Sequence, residues 1–98
     1  MIRKQSVKGN GQVKVTFVLP PNHPYGKIAV VGDFNGWDPS VNRFVRRSNK
    51  TYTTSATVEA GHRYLFRYYC EDGTWINEDE ADAYEPSGFG SDNCVLIT

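Results

Sequence analysis

Apolar and polar residues alternate with a period of two along much of the chain, a pattern typical of half-buried β-strands. Residues 12–18 place Val13, Val15 and Phe17 on one face of such a strand. Residues 62–70 repeat the alternation and give the strongest strand prediction in the chain. No amphipathic helix of useful length is indicated, so the pattern predicts an all-β fold.

Turn residues divide the rest of the chain into short segments that also favour strands. Five further strands are predicted, at residues 27–32, 41–47, 52–59, 74–76 and 93–97. About seven short strands are best buried as two packed antiparallel sheets, so we expect an immunoglobulin-like β-sandwich. Residues 77–92 are polar and are predicted to be irregular. Residues 1–10 are predicted to form a mobile basic tail, which leaves residues 11–98 as the domain.

The composition indicates one globular domain. The chain has 98 residues, enough for a single domain, and its 13% aromatic content excludes the profile of a disordered chain. The net charge is zero, yet residues 1–50 carry nine basic and two acidic side chains, whereas residues 51–98 carry two basic and nine acidic ones. If the two halves interleave in the sheets, opposite charges become neighbours. A neutral domain lacks the charge excess that drives nucleic-acid binding, so no nucleic-acid partner is expected.

The absence of targeting signals favours a cytoplasmic location. No segment is long and apolar enough to cross a membrane, and the first residues lack the apolar core of a signal peptide. Cys70 and Cys94 fit no zinc-binding spacing. We expect both to be small buried side chains; the alternative, a disulfide between neighbouring strands, is disfavoured in the cytoplasm.

Residues that support catalysis in other proteins are present, but not in convincing arrangements. Asp33 with Asp38, or the acids of 78–80, would supply the carboxylate pair of a glycoside hydrolase, but acids in glycine-rich loops usually serve as solvated turns. His23 and His62 have no suitably spaced partner for acid–base chemistry or metal binding. We therefore expect a non-catalytic protein without a metal or a cofactor.

Two tryptophans stand among turn residues, Trp37 after Asn35-Gly36 and Trp75 after Gly73-Thr74. A tryptophan at a turn is either a lid over the end of the sandwich or an exposed platform. An exposed indole suits the flat C–H face of a sugar ring, because it offers a large apolar surface with a partly negative π cloud. Arg67 and Asn93 would then supply donors and acceptors to the sugar hydroxyls.

Three segments together resemble a known family. They are VVGDFNGWDPS at 30–40, YLFRYYCEDGTW at 64–75 and ADAYEPSGFGSDNCVLI at 81–97. These segments are similar to carbohydrate-binding modules of family 48, which include the glycogen-binding domain of the AMP-activated protein kinase β subunit. Related early-set domains precede the catalytic barrel of isoamylases, pullulanases and branching enzymes. Kinase-type members have Lys, Leu and Thr at the positions of Arg67, Phe89 and Ser91, and Glu71 is an extra residue before the turn.

The resemblance implies an immunoglobulin-like sandwich that binds α-1,4-glucan, such as glycogen or starch. It assigns the sugar contacts to Trp37, Arg67, Trp75, Phe89, Ser91 and Asn93. In this assignment the two indoles stack on glucose rings, the polar side chains bind hydroxyls, and the phenyl ring fills the hollow of the helical glucan. The alternative is a structural domain that docks on a glucan-active enzyme or a kinase and binds little sugar itself.

Overall fold

The computed structural model describes residues 1–7, 11–24, 26–88 and 90–98. Within these residues the chain is all-β and forms no helix. The strands are β1 (Ile2–Val7), β2 (Gln12–Leu19), β3 (Ile28–Gly32), β4 (Val45–Arg46), β5 (Tyr52–Glu59), β6 (Arg63–Cys70), β7 (Trp75–Ile76), β8 (Ala83–Pro86) and β9 (Asp92–Ile97). The prediction of an all-β chain with alternating strands is therefore confirmed.

The strands form two antiparallel sheets that pack face to face. The first sheet has the order β1-β2-β5-β4, and the second has the order β3-β6-β9-β8, with β7 paired to β6 beside β9. Strand β6 is the centre of the second sheet, because it pairs with three other strands.

The core lies between the sheets and is built from the apolar positions of the alternating strands. Phe17 of β2 and Phe66 of β6 are fully buried, with ring centroids 5.3 Å apart. Tyr68 and Cys70 continue the inward face of β6, as the alternation predicts. Consequently Leu65, Arg67 and Tyr69 share the outer face of the same strand.

The first residues form a strand, and the prediction of a mobile tail over residues 1–10 is wrong for residues 2–7. Strand β1 pairs with β2 from Ile2 opposite Phe17 to Val7 opposite Gln12. Register places Ile2, Lys4 and Ser6 on the inward side. Lys4 Nζ lies 2.6 Å from Asp82 Oδ2 of the second sheet's connecting segment. Because Lys4 points inward, β1 lacks the apolar alternation by which a strand is recognised. The ion pair of Lys4 with Asp82 joins the two sheets at this edge.

The region predicted to be irregular, 77–92, also contains a strand. Strand β8 pairs with β9 from Ala83 opposite Val95 to Pro86 opposite Asp92. It lies at the edge of the second sheet, where a proline is tolerated because it has no neighbour to which it must donate. The predicted strand at 41–47 is shortened to Val45–Arg46, because residues 42–44 bond to β3 instead.

The opposite charges of the two halves are separated by layer rather than interleaved. The strands of the first sheet and the β4–β5 turn carry six basic residues and one acid, a net charge of +5. The strands of the second sheet, the β6–β7 turn and the β7–β8 connection carry two arginines and eight acids, a net charge of −6. Residues 51–98 contribute only β5 to the first sheet, which explains the separation.

The two cysteines are free thiols in the core. Cys94 of β9 lies opposite Phe66, whereas Cys70 stands four residues further along β6, a separation of about 13 Å along the strand. They are too far apart for a disulfide. Burial raises the pKa of each thiol. No helix among the described residues is long and apolar enough to span a membrane.

Candidate functional site

The outer face of β6 organises the predicted sugar-binding residues. Arg67 and Tyr69 project from this face, and the β6–β7 hairpin brings Trp75 into register with Tyr69. On the other side of β6, Val31 lies opposite Arg67 and Ala29 lies opposite Tyr69. The side chains therefore form two neighbouring rows that run across the strands.

The hairpin turn fixes the position of Trp75. The Cys70 N–H donates to the Thr74 carbonyl at 2.8 Å, and Gly73 has a φ of 89°, a conformation that favours glycine. Asp72 accepts from the Thr74 N–H at 2.9 Å, and hydrogen bonding by Thr74 lowers the pKa of this carboxyl. The turn therefore accommodates the extra residue Glu71.

Trp75 is exposed beside an arginine and a tyrosine. Its side chain is 45% exposed, and its ring centroid lies 4.8 Å from that of Tyr69 with a tilt of 59°. The guanidinium carbon of Arg67 lies 5.5 Å from the Trp75 ring centroid, which is within cation–π range. The result is a partly apolar surface with a cation at its edge.

Arg67 is held by side chains from two neighbouring segments. Its Nε donates to Asn77 Oδ1 at 2.8 Å, and its Nη1 donates to Ser91 Oγ at 3.1 Å. Asn77 Nδ2 in turn donates to the Asp92 carbonyl at 3.0 Å. These bonds occupy two of the five N–H donors of the guanidinium and fix its plane beside Trp75.

The β8–β9 connection and the first residues of β9 carry three predicted residues. Ser91 bonds to Arg67, and its carbonyl accepts from the Ser87 hydroxyl at 2.6 Å and from the Ser87 N–H at 3.0 Å. Asn93 is half-buried and stands one position beyond the paired residues Phe66 and Cys94, in the row of Arg67. The predicted Phe89 lies outside the described residues.

Trp37 stands in the loop that follows β3. Gly32 ends this strand so close to β6 that an added Cβ would lie 2.6 Å from the Leu65 carbonyl oxygen. The backbone then folds back, and the Trp37 N–H donates to the Gly32 carbonyl at 3.0 Å. Asn35 ties the loop to its surroundings by donating to the Val30 carbonyl at 3.0 Å.

The Trp37 side chain is half-buried and bonded to the loop itself. Its Nε1 donates to Asp33 Oδ1 at 3.1 Å, while Asp33 Oδ2 accepts from the Leu65 N–H at 2.8 Å. Trp37 is therefore anchored at Leu65, and Trp75 is anchored at Tyr69. These two positions lie four residues apart on β6, about 13 Å along the strand.

Thus the structure places Arg67 in contact with both Trp75 and Ser91, with Asn93 in the same row. It places Trp37 further along β6. Sequence reasoning missed Tyr69 and Asn77. Tyr69 had a usable signal, because it shares a strand face with Arg67 two residues earlier. Asn77 had none, because its role depends on the arrival of β9 beside it.

The residues considered for catalysis have structural roles. Asp33 joins Trp37 to Leu65, and Asp38 accepts from the Ser40 N–H and hydroxyl, which lowers the pKa of that carboxyl. Among the described residues, no group of three or more His, Cys, Asp or Glu side chains is arranged to hold a metal ion.

Glu78 is a buried acid away from the aromatic surface. Its Oε1 accepts from the Met1 ammonium at 2.7 Å and from the Tyr68 hydroxyl at 2.9 Å, and its Oε2 accepts from the Glu80 N–H at 2.8 Å. Burial raises its pKa, but these donors outweigh burial and the net shift is downward. Burial, and then the charge of Glu78, raise the pKa of Tyr68.

Glu78 borders a cavity of about 730 Å³ that also contacts His23 and Tyr68. Trp37, Arg67 and Trp75 do not line this cavity. The aromatic surface and this cavity are therefore separate.

The fold and the site define an all-β domain of two packed antiparallel sheets with an aromatic and polar surface on the outer face of one of them. No known protein-family model matches the chain, and no curated protein matches it either.

Proposed function

We propose that this protein binds α-1,4-glucan without cleaving it. The observation that carries the proposal is the exposed Trp75 indole beside a guanidinium that Asn77 and Ser91 hold in place. Such a surface matches a sugar ring in two respects. The indole covers the C–H face, and the guanidinium donors that are not bonded to Asn77 or Ser91 meet adjacent hydroxyls.

The size of this surface indicates weak binding. Covering about 200 Å² of apolar surface yields roughly 5 kcal/mol at about 25 cal/mol per Å², and the cost of association consumes much of it. We expect dissociation constants from about ten micromolar to the millimolar range. A polysaccharide compensates for this by offering many sites to one module.

The backbone of Trp37 supports a binding role for the loop that carries it. Trp37 has a φ of 58°, a region in which a residue other than glycine is disfavoured by about 1–2 kcal/mol. Local strain of this kind is concentrated at binding and catalytic sites. A bulky aromatic side chain at a position that suits glycine is therefore consistent with selection for the indole.

The resemblance to family 48 modules gives the proposal its specificity for α-linked glucose. Under this proposal the two sheets are an immunoglobulin-like early-set sandwich, and the protein acts in the cytoplasm. An α-1,4-glucan curves, so two indoles anchored at different points of β6 suit it better than the flat chain of cellulose. Asn93 would complete the polar contacts in the row of Arg67.

Calorimetric titration of the purified protein tests the proposal. Maltoheptaose and β-cyclodextrin are titrated, with cellohexaose as the matched β-linked control. Saturable heat from the α-linked ligands alone supports the proposal. No heat at millimolar ligand would contradict it and would favour the alternative, a domain that docks on a glucan-active enzyme or a kinase. Release of reducing sugar from soluble starch would contradict the non-catalytic part.

A further inference from the structure

A second hollow lies on the outer face of the second sheet, next to the aromatic surface. It has a volume of about 480 Å³, and its lining includes Lys27, Ala29, Arg43, Val45, Tyr69 and Glu71. We call it the Ala29 hollow. Tyr69 borders it and also lies 4.8 Å from Trp75, so the hollow and the proposed glucan site share one aromatic ring.

Strand register arranges the hollow and Trp75 in one row. Arg43 pairs with Ala29 by an isolated bridge, Ala29 pairs with Tyr69, and Tyr69 pairs with Trp75. Paired residues project from the same face of a sheet, and adjacent strands are about 4.8 Å apart, so the row spans about 14 Å. Ala29 has the smallest side chain of the four, and the surface is therefore concave between Arg43 and Tyr69.

The lining has the chemistry of a sugar subsite. Tyr69 offers an aromatic wall and Ala29 a small apolar floor, which together suit the C–H face of a pyranose ring. Arg43 is exposed and offers donors to hydroxyls, while Glu71 is exposed and offers acceptors. Charges of both signs at the rim of one hollow disfavour a purely apolar ligand and suit a neutral polyol that both donates and accepts.

We infer that the Ala29 hollow is an additional glucosyl subsite, continuous with the site at Trp75 and Arg67. The glucan would pass across the strands from Trp75 over Tyr69 toward Arg43. This inference rests on the proposed function. It adds a dependence on chain length, because a short oligosaccharide held at Trp75 and Arg67 does not reach Arg43, whereas a longer one does.

The test compares maltose with maltoheptaose on three variants of the full chain by calorimetry. Arg43→Ala removes the donor at the rim, and Ala29→Val fills the floor. Arg46→Ala is the matched control, since this exposed arginine lies three residues away on β4 of the first sheet. Thermal unfolding of each variant verifies that it remains folded. Should Ala29→Val fail to fold, Arg43→Ala and its control still decide the question.

We expect Arg43→Ala to weaken maltoheptaose binding by about tenfold, the value of a lost hydrogen bond to a charged group. Ala29→Val should weaken it by about the same factor, because the added methyl groups occupy the space of a sugar ring. Binding of maltose should stay within about twofold, and Arg46→Ala should change the binding of neither ligand. Equal losses for both sugars, or no loss for maltoheptaose, would overturn the subsite while leaving the proposed function intact. If the unmodified protein binds neither sugar, the proposed function fails and the subsite fails with it.

Discussion

Trp75 stands on a β-hairpin whose register sets it opposite Tyr69, whereas Trp37 stands in a loop that folds back over the end of β3. Trp75 is 45% exposed, and its neighbours are side chains of the sheet face. Trp37 is half-buried, has a φ of 58° and bonds to Asp33 of its own loop. The same side chain is thus presented once by regular structure at no backbone cost and once by a strained loop.

Of these two regions, the loop that carries Trp37 should lose more stability when its backbone is disturbed. Gly32→Ala would place a methyl group 2.6 Å from the Leu65 carbonyl oxygen and 2.8 Å from Phe66 Cβ, so the start of the Trp37 loop must move. We expect a loss of about 2–3 kcal/mol in the free energy of unfolding, measured by urea denaturation.

The matched control for this variant is Gly61→Ala. Gly61 has a φ of 76° but open space around its Cβ position, so only backbone strain acts there, and we expect a loss of about 1 kcal/mol. Equal losses of unfolding free energy for the two variants would show that β3 and β6 move apart at Gly32 without a loss of stability. That result would remove the packing argument for the position of the Trp37 loop.

Trp75 should matter more for binding than for stability. Trp75→Ala removes an exposed ring, so we expect the free energy of maltoheptaose binding to weaken by at least about 1.5 kcal/mol. The free energy of unfolding should fall by about 1 kcal/mol, through the lost contacts of the ring with Tyr69 and Arg67. Calorimetry and urea denaturation measure the two quantities. Loss of folding in this variant would instead identify Trp75 as a lid over the sheet.

Trp37 should affect both quantities, and two replacements separate its backbone from its ring. Trp37→Ala and Trp37→Gly both remove the indole and should both weaken maltoheptaose binding. Only the glycine relieves the strain at a φ of 58°, so Trp37→Gly should be more stable than Trp37→Ala by about 1 kcal/mol in urea denaturation. The opposite order would mean that the loop changes its backbone when the ring is removed.

Acid should destabilise the folded state through the buried carboxylate of Glu78. The pKa of Glu78 is lower in the folded state than its ordinary value of 4.5, so the unfolded state binds more protons between the two pKa values. Stability from Glu78 is complete above pH 4.5 and is lost as the pH falls through the folded-state pKa. We expect Glu78→Gln to be less stable at neutral pH and to lose less stability than the unmodified protein on acidification.

Urea denaturation at several pH values measures the free energy of unfolding of each protein. Fluorescence of Trp75 alone, in a Trp37→Phe background with and without Glu78→Gln, follows acid unfolding. Asp79→Asn is a suitable control, because it changes the neighbouring acid and leaves the buried carboxylate in place. An identical pH dependence in Glu78→Gln and the unmodified protein would contradict the assignment.

Sequence patterns predicted the parts of this fold that rely on simple alternation. Strands β2 and β6 follow from it, because their inward residues are apolar. Strand β5 follows instead from its content of threonine and valine, since its inward Thr54 is polar. Strand β1 was missed because Lys4 points inward and finds its partner in Asp82, 78 residues later. Strand β8 was missed because its proline and acid are typical of loops and are tolerated only at a sheet edge.

The candidate site was predictable to the extent that it depends on one strand and its hairpin. Arg67 and Trp75 belong to that unit, and the Asp72-Gly73 turn specifies their register. Asn77 and the Ala29 hollow depend on segments that meet only in the folded sheet. Local sequence therefore indicates which side chains reach this surface, but not which neighbours orient them.

The separation of charge between the layers has a consequence for how the protein approaches other surfaces. A protein with a net charge of zero is expected to bind charged surfaces weakly. Here, however, the first sheet carries a net charge of +5 and faces the second sheet, with −6, across roughly 10 Å, the usual spacing of packed sheets. The molecule is therefore a strong electric dipole. It should turn its first sheet toward an anionic matrix and its second sheet toward a cationic one, and adhere to either ion-exchange resin at low ionic strength near its isoelectric point of 6.7.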